Sequence, residues 1–323
     1  MFSIIIPLYN KAHTIESTIH SVLNQSFTDF EILIINDGST DDSVDKVLKT
    51  TNDIRLKIIN QDNQGVSVAR NRGIIEAQHE FIAFLDGDDE WLPTYLEKTV
   101  ESIKLFPNSG LFLCGRYSQN YETNHRKSYI PKKFENKVEI INFYHNPHIF
   151  FHISSTVIRK ELIINKIDKW GGFVTGQRYN EDFTFIFRVA LYTQTVYTGY
   201  LLTIYNGNVK GQATSSLSKS IRLKDVVLFH KLAINEWCSL KKNNTSFKVF
   251  MKYETRHLIL SYLKDKDSIS LITFLTETKP EIQCLLTKNE INFHISSCLN
   301  LIKIGYIYFT KLLWRLHFYP VVK

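Results

Sequence analysis

The sequence predicts an α/β protein: a mainly parallel sheet flanked by helices, continued by a mostly helical C-terminal extension. Three observations predict it. Over the first 120 residues short β-branched runs alternate with segments of helical period, the pattern of repeated strand–helix–strand units. The runs are apolar almost throughout rather than alternating, as in strands covered on both faces. Each of the first four runs also ends in a polar loop, where ligands gather in such sheets.

The predicted strands are FSIIIP (2–7), FEILIIN (30–36), RLKIIN (55–60), EFIAFLD (80–86) and GLFLCG (110–115). Between them Ile15, Ile19, Val22 and Leu23 keep helical spacing, as do Val44, Val47 and Leu48, and then Val66, Ala69, Gly73 and Ala77. Ser39 to Asp42 offer capping chemistry for the second helix, and Pro93 suits the first turn of the helix after the fourth strand. The polar stretch 120–150 reads as a mobile excursion with a short helical pattern in VEIINFY. HISSTVIR (152–159) reads as a strand, WGGF (170–173) as a loop and NEDFTFIFRVALY (180–192) as a helix opened by Asn180. The expected organisation is one domain over 1–210, with halves of about 1–118 and 119–210, and a helical region over 211–323.

At 323 residues with 44% hydrophobic and 22% charged residues, the chain has the composition of a globular protein rather than a disordered or polytopic one. Its formal charge of +7 is unevenly spread: residues 1–210 carry 22 Lys and Arg against 24 Asp and Glu, whereas 211–323 carry 17 against 8. The basic surplus therefore belongs to the last third alone. Cys114, Cys238, Cys284 and Cys298 form no CxxC pair and are expected as buried thiols in a reducing cytosol; MFSIIIPLYN lacks the marks of a signal peptide.

FLDGDDEW (84–91) places four acids at the end of the fourth strand. Two carboxylates about 5 Å apart repel by roughly 3 kcal/mol at an effective dielectric near 20, so such a cluster splays into water or takes a cation. Asp86 and Asp88 offer the hard oxygens that Mg²⁺ or Mn²⁺ prefers, and the small Gly87 lets a ligand approach the backbone. Asp37, in NDGSTDD, adds a carboxylate at the neighbouring strand end. A solvated acidic turn capping the next helix accounts for the cluster equally well when it is taken alone.

Together these segments resemble the glycosyltransferases of family 2, which have the Rossmann-like GT-A fold. IIPLYN, INDGSTDDS, GVSVARNRGI, FLDGDDEW as the DXD motif and NEDF follow the family's order and spacing over about residues 1–205. The resemblance implies that Pro7, Leu8 and Tyr9 floor the nucleotide-base pocket and that Asp37 hydrogen-bonds the base, usually uracil. It implies Arg70 near the base or diphosphate, Asp86 with Gly87 on the ribose and sugar, Asp88 on a divalent metal, and Asp182 as general base. The activity implied is inverting, metal-dependent transfer of one hexosyl or N-acetylhexosaminyl group from a UDP-sugar to a glycan or lipid-linked acceptor in surface-polysaccharide synthesis. Asp182 also suits plain capping of a helix N-terminus.

The processive QxxRW motif is absent, since only Gln177, Arg178 and Tyr179 stand there, and no apolar run of 18 residues exists. Single-sugar addition is therefore expected. IYNGNVKGQATSS supplies only Lys210 as a basic residue for the diphosphate. GVSVA ends in alanine and fails as a hydrolase elbow; Pro147 breaks any shared helical face for His145, His148 and His152. A nucleotidyltransferase and a non-catalytic glycan-binding protein remain alternatives. In 299–319 the basic residues cluster on one side of a helical wheel, so this segment is expected to dock on an anionic membrane surface from the cytoplasmic side. No nucleic-acid partner is expected.

Overall fold

A computed structural model describes residues 1–145, 147, 151–164, 172–209, 217–240 and 245–285. Among the described residues the chain divides into two compact units: Met1–Ile141 with His148–Gln177 and Glu181–Ser215, and Asn142–Pro147 with Arg178–Asn180 and Ser216–Lys323.

The first unit is built on a sheet whose strands are β1 (Phe2–Leu8), β2 (Phe30–Asp37), β3 (Leu56–Gln61), β4 (Phe81–Phe84), β5 (Glu90–Trp91), β6 (Leu111–Asn120), β7 (Arg126–Tyr129), β8 (Val138–Ile141), β9 (Thr156–Arg159) and β10 (Thr195–Gly207). Their order is β3-β2-β1-β4-β9-β6-β10-β5, with β7 beside β6 and β8 beside β10. β3, β2, β1 and β4 run parallel, as do β6 and β10; β9 lies antiparallel between β4 and β6. The predicted mainly parallel α/β sheet is thus present, and parallel pairing puts the carboxyl ends of β1 to β4 on one edge.

α1 (Ile15–Leu23), α2 (Ser43–Thr50), α3 (Val66–Glu76) and α4 (Tyr95–Leu105) make the crossovers, and α5 (Glu181–Val189) precedes β10. The core follows from composition: Phe2, Ile4, Ile6, Ile32, Ile34 and Ala83 are closed off from solvent and pack with Ile15, Ile19 and Val22 of α1. Burial holds on both faces of β1, β2 and β4, whereas β3 is only half covered because it ends the sheet order. The helical reading of VEIINFY is corrected: Val138–Ile141 is strand β8, because Ile141 to Val138 pair antiparallel with Thr195 to Thr198, and only Phe143–His145 turns helically. The 120–150 excursion likewise contains β7, which pairs with β6. Cys114 is buried as expected, but Cys238 is exposed.

α3 lies close on β1 because position 73 has no side chain; a Cβ there would strike Ile5. Gly73→Ala is expected to cost about 1–3 kcal/mol through overpacking. Urea denaturation checks this, and a midpoint equal to that of the wild type would show the helix free to shift.

The second unit contains α6 (Lys219–Ser239), α7 (Thr245–Lys264), α8 (Ser268–Glu277) and α9 (Lys279–Leu285). Phe229, Ile234, Phe247, Phe250, Met251 and Phe274 form its buried interior, with Trp237 stacked on Phe247 at 5.3 Å between ring centroids. Buried Asp225 accepts hydrogen bonds from the backbone N–H groups of Arg178 and Tyr179, both at 2.8 Å. No helix of the described residues is long and apolar enough to cross a membrane. The expected amphipathic segment 299–319, together with Lys210 and His148, lies outside the described residues.

Candidate functional site

The loops leaving β1, β2 and β4 meet at the carboxyl edge of the sheet. After β1, Asn10 takes a left-handed turn (φ 51°), and its side-chain oxygen accepts from the Thr40 N–H at 2.8 Å. The next N–H, that of Lys11, donates to Ser43 Oγ at 2.7 Å, so the first two loops are stitched together. Tyr9 is 47% exposed beside them. Leu8 is buried in β1, and Pro7 turns its carbonyl toward Gly87, where an added Cβ would lie 3.4 Å from that oxygen.

Asp37 ends β2 and is 3% exposed. Its Oδ1 accepts from Gln61 Nε2 at 2.8 Å and from the Gln64 N–H at 2.9 Å, and its Oδ2 accepts from the Gly65 N–H at 2.8 Å. The carboxylate therefore shapes the loop that leads into α3.

The acid loop after β4 is held from several sides. The Asp86 N–H donates to Ser154 Oγ at 3.1 Å, and that hydroxyl donates to Asp89 Oδ2 at 2.6 Å. Asp89 Oδ1 accepts from the Asn206 N–H at 3.0 Å, while Thr14 and Thr18 donate to the Gly87 and Asp89 carbonyls at 2.8 and 2.9 Å. Asp89 is consequently almost wholly buried, and that burial, with Asp88 and Asp86 close by, pushes its carboxyl well above the usual range. It anchors the loop, so at this position the solvated, helix-capping acidic turn is replaced by a buried carboxyl. His152, 3.7 Å from Asp89 and against the Tyr205 ring, is driven down to about 3 by burial and by the Arg116 charge.

Asp86 and Asp88, both part-buried, each have their own cation. Arg70, buried in α3, donates from Nη2 to Asp86 Oδ1 at 2.7 Å and from Nη1 to Glu181 Oε1 at 3.2 Å. Burial is the largest single influence and would raise the Asp86 carboxyl, but the charge and hydrogen bond of Arg70, joined by the Lys11 charge, together hold Asp86 below its ordinary value. Lys11 Nζ lies 2.5 Å from Asp88 Oδ2; burial still leaves Asp88 above its ordinary value. At the start of α5, Asp182 Oδ1 accepts from the Phe183 N–H at 2.6 Å. Burial and the neighbouring Glu181 charge raise Asp182 to about 7 against the pull of Arg70.

Pro7, Gly87, Asp88, Asp86, Arg70 and Asp182 thus share one neighbourhood, and Asp37 occupies the adjoining loop cluster. The guanidinium of Arg70 stands between Asp86 and Glu181 rather than free at a pocket. Lys11, Glu181, Asp89, Ser154 and Asn206 were not singled out as site residues from the sequence. Asp89 and Glu181 stand inside the FLDGDDEW and NEDF motifs, and Lys11 is the one cation in PLYNKAH with the side-chain length to reach across a loop; Ser154 and Asn206 carry no such sign.

This edge sets the hard carboxylate oxygens of Asp86 and Asp88 beside the positive charges of Arg70 and Lys11. Among the described residues no three His, Cys, Asp or Glu side chains gather as a metal cage. A divalent cation would need oxygens from a bound phosphate in addition to Asp88, which is how Mg²⁺-type ions are commonly held.

The architecture is shared with known glycosyltransferase structures of the GT-A fold. Staphylococcus aureus TarS 1–349 in complex with UDP-GlcNAc superposes with a TM-score of 0.73 at 18% identity, covering 95% of this chain and 87% of that one. The glycosyl transferase family 2 profile matches residues 3–167, and the chain belongs to that family. Among its relatives, the putative glycosyltransferase EpsH of Bacillus subtilis (strain 168) is 33% identical over 176 residues, covering 50% of this chain and 51% of EpsH. The Escherichia coli UDP-Glc:alpha-D-GlcNAc-diphosphoundecaprenol beta-1,3-glucosyltransferase WfgD is 39% identical over 118 residues, covering 36% of this chain and 46% of WfgD. The chain therefore spans about half the length of these relatives. Family membership also sets aside the nucleotidyltransferase alternative.

Proposed function

We propose that the protein is an inverting, metal-dependent, non-processive glycosyltransferase that moves one sugar from a UDP-linked donor to a glycan or lipid-linked acceptor of a surface polysaccharide. The observation that carries this reading is the continuous set of charges from Asp88 and Asp86 through Arg70 to Asp182, which pairs a place for a nucleotide diphosphate with a carboxylate near pKa 7. Pro7, Leu8, Tyr9 and Asp37 would frame the base, Asp86 and Gly87 the ribose and sugar, and Asp88 the divalent metal. We assign the donor to about residues 1–118 and the acceptor to about 119–210.

In this scheme Asp182 accepts the proton of the acceptor hydroxyl as its oxygen bonds to the anomeric carbon. The bond from that carbon to the diphosphate breaks with its electron pair leaving on phosphate, which inverts the centre. A Mn²⁺ or Mg²⁺ ion, when bound, supplies Lewis-acid stabilisation of that phosphate charge. The acceptor class is supported by WfgD, whose name gives a diphosphoundecaprenol-linked sugar as its acceptor. Such an acceptor would place the enzyme peripherally on the cytoplasmic face of a membrane.

The test is a thermal-shift screen of nucleotides with and without Mn²⁺. UDP with Mn²⁺ is expected to raise Tm, by mass action on the folded state, and Asp88→Ala is expected to remove the metal-dependent part. No stabilisation by any nucleoside diphosphate, or a metal-dependent shift that survives Asp88→Ala, would sink the reading.

A further inference from the structure

Lys11 is the residue of this edge for which the scheme above has no use, and its setting is constructed rather than incidental. Its N–H donates to Ser43 Oγ, and Ser43 is in turn bonded to Asp41. Its carbonyl accepts from the Thr14 and Ile15 N–H groups at 3.0 Å each, so the backbone is fixed from both sides. The stem lies over Gly87: a Cβ built there would sit 3.5 and 3.7 Å from Lys11 Cγ and Cβ. The ammonium reaches Asp88 Oδ2 at 2.5 Å, with the two side chains 15% and 14% exposed.

The two cations of the edge differ in how firmly they are held. Arg70 is 3% exposed and engages two carboxylates, Asp86 and Glu181, through a planar fork. Lys11 engages one carboxylate through a compact ammonium on a four-carbon stem with freely rotating donors. A cation arriving at Asp88 therefore competes with Lys11 and not with Arg70.

We propose that Lys11 is a positioning residue that occupies the cation's place on Asp88, so that a divalent ion enters only in company with a nucleoside diphosphate. Alone, a divalent ion must displace the ammonium and then bear its repulsion in a part-buried setting. A diphosphate removes both obstacles: it brings the oxygens that a hard ion requires, and its negative charge offers the displaced ammonium a new partner. Once the diphosphate leaves, the ammonium reclaims Asp88 and the ion loses its seat. The inference rests on the reading of Asp88 as metal ligand.

Mn²⁺ alone is the probe, titrated by electron paramagnetic resonance into the full chain without nucleotide. Lys11→Met keeps the stem and removes the charge, and is expected to bind free Mn²⁺ about tenfold tighter or more than wild type, the scale of one lost contact charge at a part-buried site. Lys11→Arg keeps the charge and should match wild type, while adding Asp88→Asn to Lys11→Met should abolish the gain. The factor by which UDP strengthens Mn²⁺ binding should fall in Lys11→Met, and by linkage the factor by which Mn²⁺ strengthens UDP binding should fall equally. Unliganded melting curves confirm that each variant is folded. Equal Mn²⁺ affinity in wild type and Lys11→Met, with UDP binding intact, overturns the proposal, as does an equal gain in Lys11→Arg. Failure of the wild type to bind UDP at any Mn²⁺ concentration counts instead against the donor reading.

Discussion

Asp182→Asn is expected to lower kcat by about 10²–10⁴-fold, the usual worth of a general base, while donor affinity changes by less than about twofold. The amide keeps the shape at the start of α5 and can still accept from the Phe183 N–H through its oxygen. What disappears is the group able to take a proton. The same position sets the pH dependence. With the Asp182 carboxyl at about 7, raised by burial and by Glu181, the active anion is scarce below neutrality. kcat/KM should therefore rise through an apparent pKa near 7 and level off above it. Steady-state kinetics from pH 5.5 to 9 with saturating metal would show this. Two results would defeat the assignment: a flat profile across neutrality, or loss of UDP binding in Asp182→Asn, which would mark the residue as structural.

Arg70→Met is expected to destabilise the fold by about 3–5 kcal/mol at pH 7, because it leaves two part-buried carboxylates, Asp86 and Glu181, without their cation. The sign of its pH dependence follows from Asp86. Arg70 lowers the carboxyl in the folded state, so the stability this confers is present above the unfolded value of 3.8 and is lost as pH falls through the folded one. The gap between wild type and Arg70→Met should hence persist down to about pH 4 and narrow in urea melts as pH drops below it. The variant should also displace the acid limb of the rate profile upward, since Arg70 opposes the rise at Asp182. A variant as stable as wild type at pH 7 would show that water, rather than the guanidinium, compensates these acids.

Local pattern reveals much of this protein and then stops at a definable point. Strands β1, β2 and β4 and helices α1 to α3 were legible because their apolar periods are complete within ten residues or so. The acid tip at 84–91 was legible because four acids after an apolar run are conspicuous. β10 (TVYTGYLLTIYNG) carries no legible strand period and VEII reads as helix, since a strand of this kind is specified by its pairing: β8 is a strand because Thr195 to Thr198 lie beside it. Asp89 looked like a helix-capping acid and is instead a buried anchor, a difference made by Ser154 and Asn206, which are 65 and 117 residues away.

By itself, then, the sequence determined the α/β class, the parallel sheet and the acids Asp37, Asp86, Asp88 and Asp182 at the ends of its elements. These depend on period, composition and order along the chain. Only the tertiary structure decided which charge answers which: Arg70 to Asp86 and Glu181, the latter 111 residues away, and Lys11 to Asp88, 77 residues away. The reason is the short reach of these interactions. A carboxylate's pKa and availability are set by groups within a few ångströms, and no regularity of sequence spacing carries that distance.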